Sequence, residues 1–75
     1  MGTVAVEIHY CPTWNGYDER AASLAAELND EGIPATALPG GKGQFDVTRD
    51  GELVFSKHET GRFPEDGEIL TALQG

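Results

Sequence analysis

The chain has 75 residues, of which 39% are hydrophobic, and its 13 acidic and 5 basic side chains give a formal net charge of −8. This length and composition predict a single domain over residues 1–75 with a modest hydrophobic core. The negative charge argues against binding to nucleic acid or to anionic membranes, because both are bound mainly through Lys and Arg.

The cysteine count and the lack of long apolar segments define the expected setting of the protein. Cys11 is the single cysteine, which excludes an internal disulfide, and with His9 and His58 it forms no ligand cluster, so no metal site is predicted. No stretch approaches the roughly 20 apolar residues of a membrane span, and the first residues lack the features of a secretory signal. We therefore expect a cytoplasmic monomer that binds no membrane.

The first predicted elements are a strand and a helix separated by a turn. Residues 4–9 (VAVEIH) alternate apolar and polar side chains, as a strand with one buried face does. The turn formers CPTWNG follow, and from residue 17 to residue 31 the apolar side chains recur at helical spacing. Thr13 or Asn15 is the expected N-cap of this helix, and Gly32 ends it.

The rest of the chain predicts three strands and one helix. Short apolar or alternating runs bounded by turn formers predict strands over residues 33–38, 44–49 and 52–57, and a short helix is predicted over residues 64–74. Asp50-Gly51 is a strong hairpin signal between the last two strands, and the residues from His58 to Phe63 are expected to form a loop. The predicted order is β-α-β-β-β-α, with two helices.

This order predicts a two-layer α/β fold whose four-stranded mixed sheet has the strand order 2-1-3-4. The strand-helix-strand unit makes the first two strands parallel through a right-handed crossover, and the hairpin lies on the other side of the first strand. The loop at residues 39–43 (PGGKG) must then cross the carboxyl end of the first strand. Its three glycines permit close approach of the backbone, so this loop and Lys42 are expected beside Cys11.

Two segments resemble the selenoprotein W-like, or Rdx-type, proteins. Residues 6–12 (VEIHYCP) are similar to the family's opening Val-x-Ile-x-Tyr-Cys-x-x-(Cys or selenocysteine), and residues 43–64 (GQFDVTRDGELVFSKHETGRFP) are similar to its second half. The resemblance covers nearly the whole chain. It implies a thioredoxin-like fold and a thiol- or selenol-based oxidoreductase role, with glutathione or a protein thiol as partner.

The chain departs from the family's motif at position 14. The family's first cysteine corresponds to Cys11, but its second cysteine or selenocysteine corresponds to Trp14. Either Trp14 is native and dithiol chemistry has been lost, or the native gene encodes selenocysteine there and Trp14 is a decoding product or an engineered substitution. We favour the second explanation, because the selenocysteine codon UGA differs by one base from the tryptophan codon UGG and the rest of the motif is intact. This chain is then expected to be impaired.

The candidate site surrounds Cys11 and position 14, which are the expected redox pair. Five neighbours are candidate contacts for a substrate or partner: Pro12, Thr13, Gly41, Lys42 and Gly43. The helix N-terminus and Lys42 would favour the thiolate of Cys11, whereas Asp18 and Glu19 in the first helical turn would raise its pKa. Lys42 could also pair with a carboxylate of a glutathione-like ligand, although the loop lacks the spacing of a phosphate-binding P-loop.

Two other functions remain open from the residues alone. The chain could be a non-catalytic interaction module that keeps the fold, or a redox sensor that glutathione modifies at its single thiol. A lone cysteine is often only a small buried apolar residue, and Trp14 is expected to pack partly on the first helix or the glycine loop. With Trp14 in place, Cys11 can form only a mixed disulfide, which a second molecule must resolve.

Overall fold

Four strands and three helices lie within residues 5–74, the part of the chain that the computed structural model describes. The strands are β1 (Val6–Tyr10), β2 (Ala35–Pro39), β3 (Phe45–Arg49) and β4 (Glu52–Ser56), and the helices are α1 (Tyr17–Asp30), α2 (Lys57–Thr60) and α3 (Glu68–Gln74). Val4 of the predicted first strand and the ends of the predicted domain, at residues 1–3 and 75, lie outside the described residues.

The strands form one mixed sheet in the order β2-β1-β3-β4, which confirms the predicted topology. β1 pairs in parallel with β2 through the α1 crossover and antiparallel with β3, and β3 and β4 form the hairpin closed at Asp50 and Gly51. The register between β3 and β4 shifts after Val47, which marks a bulge. The sheet therefore carries β1 and β3 at its centre and β2 and β4 at its edges.

One face of the sheet is buried under α1 and α3, because the apolar side chains of the strands alternate toward the helices. The core consists of Val6, Ile8, Cys11, Tyr17, Ala21, Leu24, Leu28, Phe45, Val47, Phe55 and Ile69. Complete burial of a side chain such as Leu28 stabilises the fold by about 1.5–3 kcal/mol. The helical period from Tyr17 to Leu28 thus determines which face of α1 covers the sheet.

Residues 5–74 form three helices, so the predicted count of two was wrong. Lys57–Thr60 forms a single helical turn directly after β4, where a loop was expected. The Thr60 hydroxyl donates a hydrogen bond to the Ser56 carbonyl at 3.0 Å, and Gly61 ends the turn with a φ of 76°. Four residues are too few to show a helical period in the sequence.

The ends of the longer helices also differ from the predicted ones. α3 begins at Glu68 rather than at residue 64, because Gly67 has a left-handed φ of 79° that a helix interior does not allow. The N-cap of α1 is Gly16, and neither Thr13 nor Asn15 caps the helix through its side chain. Over residues 5–74 none of the helices is long and apolar enough to cross a membrane.

Candidate functional site

Cys11 follows β1 and remains attached to the sheet through its backbone. Its N–H donates a hydrogen bond to the Gln44 carbonyl at 2.8 Å, which extends the pairing of β1 and β3 by one step beyond Tyr10 and Phe45. The Cys11 side chain is fully buried, with 0% of its surface exposed, whereas the next four residues are exposed. The thiol therefore lies under the loop that joins β1 to α1.

Hydrogen bonds surround the Cys11 sulfur. The Thr13 hydroxyl lies 3.4 Å from Sγ, and the backbone N–H groups of Gly43, Thr13 and Trp14 also point to the sulfur. Burial raises the pKa of the Cys11 thiol, but these hydrogen bonds favour the thiolate and together lower the pKa from 9.0 to about 7. The thiol is thus partly ionised near neutral pH, which is the condition for nucleophilic reactivity.

This lowering is opposite to the rise in pKa that the acidic first turn of α1 was expected to cause. Asp18 and Glu19 are both exposed, so solvent and salt screen their charges from the buried Cys11 sulfur. The carboxylate of Asp18 also accepts a hydrogen bond from the Glu19 N–H at 2.9 Å. The hydrogen-bond donors close to the sulfur therefore have a larger effect on the pKa of Cys11 than these two acidic side chains have.

The glycine loop crosses the end of β1, as predicted. The Gly40 N–H donates a hydrogen bond to the Tyr10 carbonyl at 2.7 Å, and Gly43 reaches the Cys11 sulfur with a left-handed φ of 70°. Lys42 is exposed, and within residues 5–74 its ammonium group forms no hydrogen bond or ion pair. The backbone of the loop, rather than its lysine, meets the thiol.

Trp14 packs on both the loop and the helix, as expected. Its ring makes an edge-to-face contact with Tyr17, with the ring centroids 5.6 Å apart, and 44% of its surface remains exposed. A Cβ atom added to Gly43 would lie 3.1 Å from the Trp14 ring. The Cys11 sulfur and the Trp14 ring thus meet the same glycine, while Pro12 and Thr13 form the exposed turn between positions 11 and 14.

Two features of the site were not predicted from the sequence. Gln44 fixes the glycine loop, since its side-chain oxygen accepts a hydrogen bond from the Gly41 N–H at 2.6 Å and its amide donates one to Asp46 at 2.8 Å. Two cationic side chains also lie over the ring of Phe63, which makes edge-to-face contacts with Tyr17 and Phe45. The Arg20 guanidinium is 4.2 Å and the Lys57 ammonium 5.3 Å from the centre of this ring. In the sequence, the place of Gln44 directly between the glycine loop and β3 could have indicated that its side chain fixes the loop.

The histidines do not contribute to this site. His9 lies on β1, with Nε2 at 3.2 Å from a carboxylate oxygen of Glu7, and His58 is exposed on α2. Within residues 5–74 no three His, Cys, Asp or Glu side chains are grouped so that they could hold a metal ion. The described site thus consists of the Cys11 sulfur and its hydrogen-bond donors.

The sequence profile of the Rdx family matches residues 5–74, and the chain belongs to this family. Migration and invasion enhancer 1 of Mus musculus and of Bos taurus are 33% and 32% identical to this chain over 73 residues. These alignments cover 95% of this chain but 63% of each relative, so the chain spans less than two thirds of their length.

Solved structures of two bacterial proteins share the fold. A selenoprotein W-related protein from Vibrio cholerae superposes with a TM-score of 0.82 at 27% sequence identity, covering 97% of this chain and 95% of that one. A protein from Bordetella parapertussis superposes with a TM-score of 0.85 at 27% identity, covering 97% and 96% of the two chains. The family and these neighbours support a thioredoxin-like protein of the redox type.

Proposed function

We propose that the chain is a thiol-based redox protein whose redox pair occupies positions 11 and 14, with glutathione or a protein thiol as partner in a reducing cytoplasm. The observation that carries this proposal is the hydrogen-bonded Cys11 sulfur with a thiol pKa of about 7. A cysteine that served only as core filler would need no donors around its sulfur. Membership of the Rdx family supports the same function.

In this chain, which has Trp14, the reaction takes place at one sulfur. The Cys11 thiolate attacks one sulfur of a disulfide such as oxidised glutathione, a Cys11–glutathione disulfide forms, and one glutathione thiolate leaves. A second thiolate then attacks the glutathione sulfur of this adduct and releases the Cys11 thiolate. The incoming thiol is oxidised to a new disulfide while the original disulfide is reduced to two thiols, so the electrons balance.

A second sulfur or a selenium at position 14 would make the cycle intramolecular. A selenolate or thiolate there would attack the substrate disulfide, bond to one of its sulfurs and release the other as a thiolate. The Cys11 thiolate would then attack position 14, form a bond between positions 11 and 14, and release the second substrate thiolate. The Trp14 backbone N–H points to the Cys11 sulfur, so the backbone of position 14 lies beside the thiol, which supports this pairing. On this proposal Trp14 replaces the attacking group and leaves Cys11 as a single thiol, so this chain is impaired as a dithiol enzyme. A redox sensor that works through the single thiol of Cys11 is the alternative function.

The substitution Trp14→Cys tests the pairing. Under oxidised glutathione, we expect an intramolecular disulfide, detected as a mass lower by two hydrogen atoms and restored by reduction. The unsubstituted chain should gain one glutathione, and Cys11→Ser should gain none. A folded Trp14→Cys variant that forms no intramolecular disulfide would contradict the pairing of positions 11 and 14. The base sequence of codon 14 in the native gene then distinguishes a replaced selenocysteine from a native tryptophan.

A further inference from the structure

A groove of about 490 Å³ runs along α1 beside the segment that precedes α3. It starts at Gly16, the N-cap of α1, which is two residues from Trp14, and it extends along the helix to Glu27. Its apolar lining comes from Leu24, Phe45 and Pro64. The groove therefore begins at the loop that holds the proposed redox pair and leads away from it.

The rim of this groove is strongly acidic. Glu19 and Glu27 of α1 and Glu65 and Asp66 of the facing segment line it, against a single cation, Arg20. The ion pairs among the described residues 5–74 are His9–Glu7 and Arg62–Glu68, so none of the four groove carboxylates belongs to one. The Arg20 guanidinium lies over the Phe63 ring at 4.2 Å. Four carboxylates and one guanidinium give the lining residues three net negative charges, and the nearby Arg62 guanidinium, which also interacts with the charge of Glu65, is paired with Glu68.

We propose that this groove binds a basic segment of a partner protein that carries the cysteine or disulfide exchanging with the redox site. The inference rests on the proposed function and specifies its partner. The apolar floor suits the methylene stems of Lys and Arg, and the carboxylates of the rim suit their charged groups. A second copy of this chain would be repelled, because each copy has a net charge of −8.

The length of the groove limits where the basic residues lie in the partner. From residue 16 to residue 27, α1 rises by about 16 Å at about 1.5 Å per residue. An extended chain covers this distance in about five residues at about 3.3 Å each. The Lys or Arg residues that occupy the groove should therefore lie within about five positions of one another, and a small thiol such as glutathione would leave most of the groove empty.

Binding is tested first with peptides that contain no cysteine. A six-residue peptide with serine at one end and three lysines is titrated into the labelled chain, and the backbone amide signals are followed by NMR beside a matched peptide with glutamates. We expect the lysine peptide to shift the signals of Ser23, Glu27 and Glu65 and to lose affinity as salt is added. Glu27→Gln combined with Asp66→Asn should weaken binding about three- to tenfold. The same charge change at Glu31 and Glu52, exposed carboxylates outside the groove, should not.

Three results would overturn the inference: equal binding of the lysine and glutamate peptides, equal weakening in both pairs of variants, or an equally strong effect of spermine, which would show simple counterion binding. Shifts of the groove signals with protein concentration alone would assign the groove to a second copy instead.

The reaction is measured separately from binding. The same peptides with cysteine in place of serine, activated as mixed disulfides with thionitrobenzoate, react with Cys11 and release the coloured thiolate. If the lysine peptide binds but no peptide reacts, the proposed redox function fails while the groove stands. If all the peptides react at one rate and none binds, the groove fails while the redox function stands.

Discussion

At Cys11, solvent exclusion and hydrogen bonding act on the thiol in opposite directions. A buried sulfur without donors would have a raised pKa and would be inert near neutral pH. Here the Thr13 hydroxyl and three backbone N–H groups supply the stabilisation that water would otherwise give to the thiolate. These donors are held by the turn at residues 12–14 and by the glycine loop, so the ionisation of Cys11 depends on the conformation of two loops.

Removing the Thr13 hydroxyl should raise the pKa of Cys11. Thr13→Val deletes the side-chain hydrogen bond and leaves the backbone donors, so the pKa should move from about 7 toward 9.0. The measurement is the rate of Cys11 alkylation by iodoacetamide as a function of pH, followed by mass spectrometry. Thr36→Val, on the exposed side of β2, serves as the control and should keep the midpoint of the parent chain. Identical midpoints in the two variants would show that the Thr13 hydroxyl does not stabilise the thiolate.

Gly43 is required both for its backbone conformation and for its lack of a side chain. Gly43→Ala places a Cβ atom at a φ of 70° and 3.1 Å from the Trp14 ring, so it should lower the free energy of unfolding by more than the roughly 1–2 kcal/mol of a left-handed residue alone. Gly61 also has a left-handed φ, of 76°, but an added Cβ atom there would meet only open space. Gly61→Ala therefore measures the backbone contribution to the loss of stability without a side-chain clash.

Combining Gly43→Ala with Trp14→Ala isolates the contact between the two residues. The double variant should recover part of the loss, because the ring that the added methyl group would meet is gone. Urea denaturation gives the free energies for this double-mutant cycle. Strictly additive effects would show that Trp14 does not pack on Gly43 in solution.

Among the elements, the segment between α2 and α3 is joined to the start of α3 by the carboxylate of Glu68. Both oxygens of Glu68 accept hydrogen bonds from the Arg62 guanidinium, at 2.8 and 3.0 Å, and one of them also accepts the Glu65 N–H at 2.9 Å. The Arg62 hydrogen bond, followed by that of the Glu65 N–H, lowers the pKa of the Glu68 carboxyl from 4.5 to about 2. Glu68 thus connects the start of α3 to the loop after α2.

This arrangement predicts a pH dependence of stability. Because the folded pKa of Glu68 lies below the unfolded one, its contribution is present above pH 4.5 and is lost as the pH falls toward 2. Glu68→Gln should therefore lower the free energy of unfolding at pH 7 and lower it less at pH 2.5, as measured by urea denaturation at both values. Glu59→Gln, an exposed acid of α2, is the control and should show a smaller difference between the two pH values. A constant effect of Glu68→Gln across this range would contradict the assignment.

The sequence predicted the elements better than it predicted their ends. The alternation of the strands, the helical period of α1 and the Asp50-Gly51 turn are local signals, and each appears in the structure. The α2 turn depends on a hydrogen bond of Thr60 and on Gly61, and the start of α3 depends on the backbone of Gly67, none of which changes the apolar pattern. The burial of Cys11 was equally unpredictable from the sequence, because it results from how two loops fold over the thiol.

For the whole molecule, chain connectivity explains why the sheet order was predictable. A strand-helix-strand unit followed by a short loop and a tight hairpin leaves few ways to arrange four strands, and the observed order β2-β1-β3-β4 is the predicted one. The same connectivity brought the glycine loop to Cys11. The acidic groove could not be predicted, because residues 16–27 and 64–66 are distant in the sequence and meet only after the helices pack.

The small core makes the whole fold sensitive to α3. Ile69 is the fully buried side chain of this helix, and Ile69→Ala should cost about 2–5 kcal/mol through lost burial and the cavity that remains. A domain of this size has a total stability of about 4–11 kcal/mol, at about 0.05–0.15 kcal/mol per residue.

Ile69→Ala should therefore move the urea midpoint strongly downward and leave a measurable unfolded fraction in buffer. Leu53→Ala removes a leucine that is 50% exposed on β4 and should change the midpoint little. Equal effects of the two substitutions would mean that α3 is not docked on the sheet.

Complete burial of the Cys11 sulfur also lowers the thermodynamic stability of any group attached to it. An adduct needs space where the folded chain has none, so it must displace the loop at residues 12–15 or neighbouring core side chains. By thermodynamic linkage, a modification that strains the fold is itself destabilised by the fold, to the same extent. A disulfide on Cys11 would then have a higher reduction potential than one on an exposed cysteine, and the folding free energy of the domain would favour the free thiol at equilibrium.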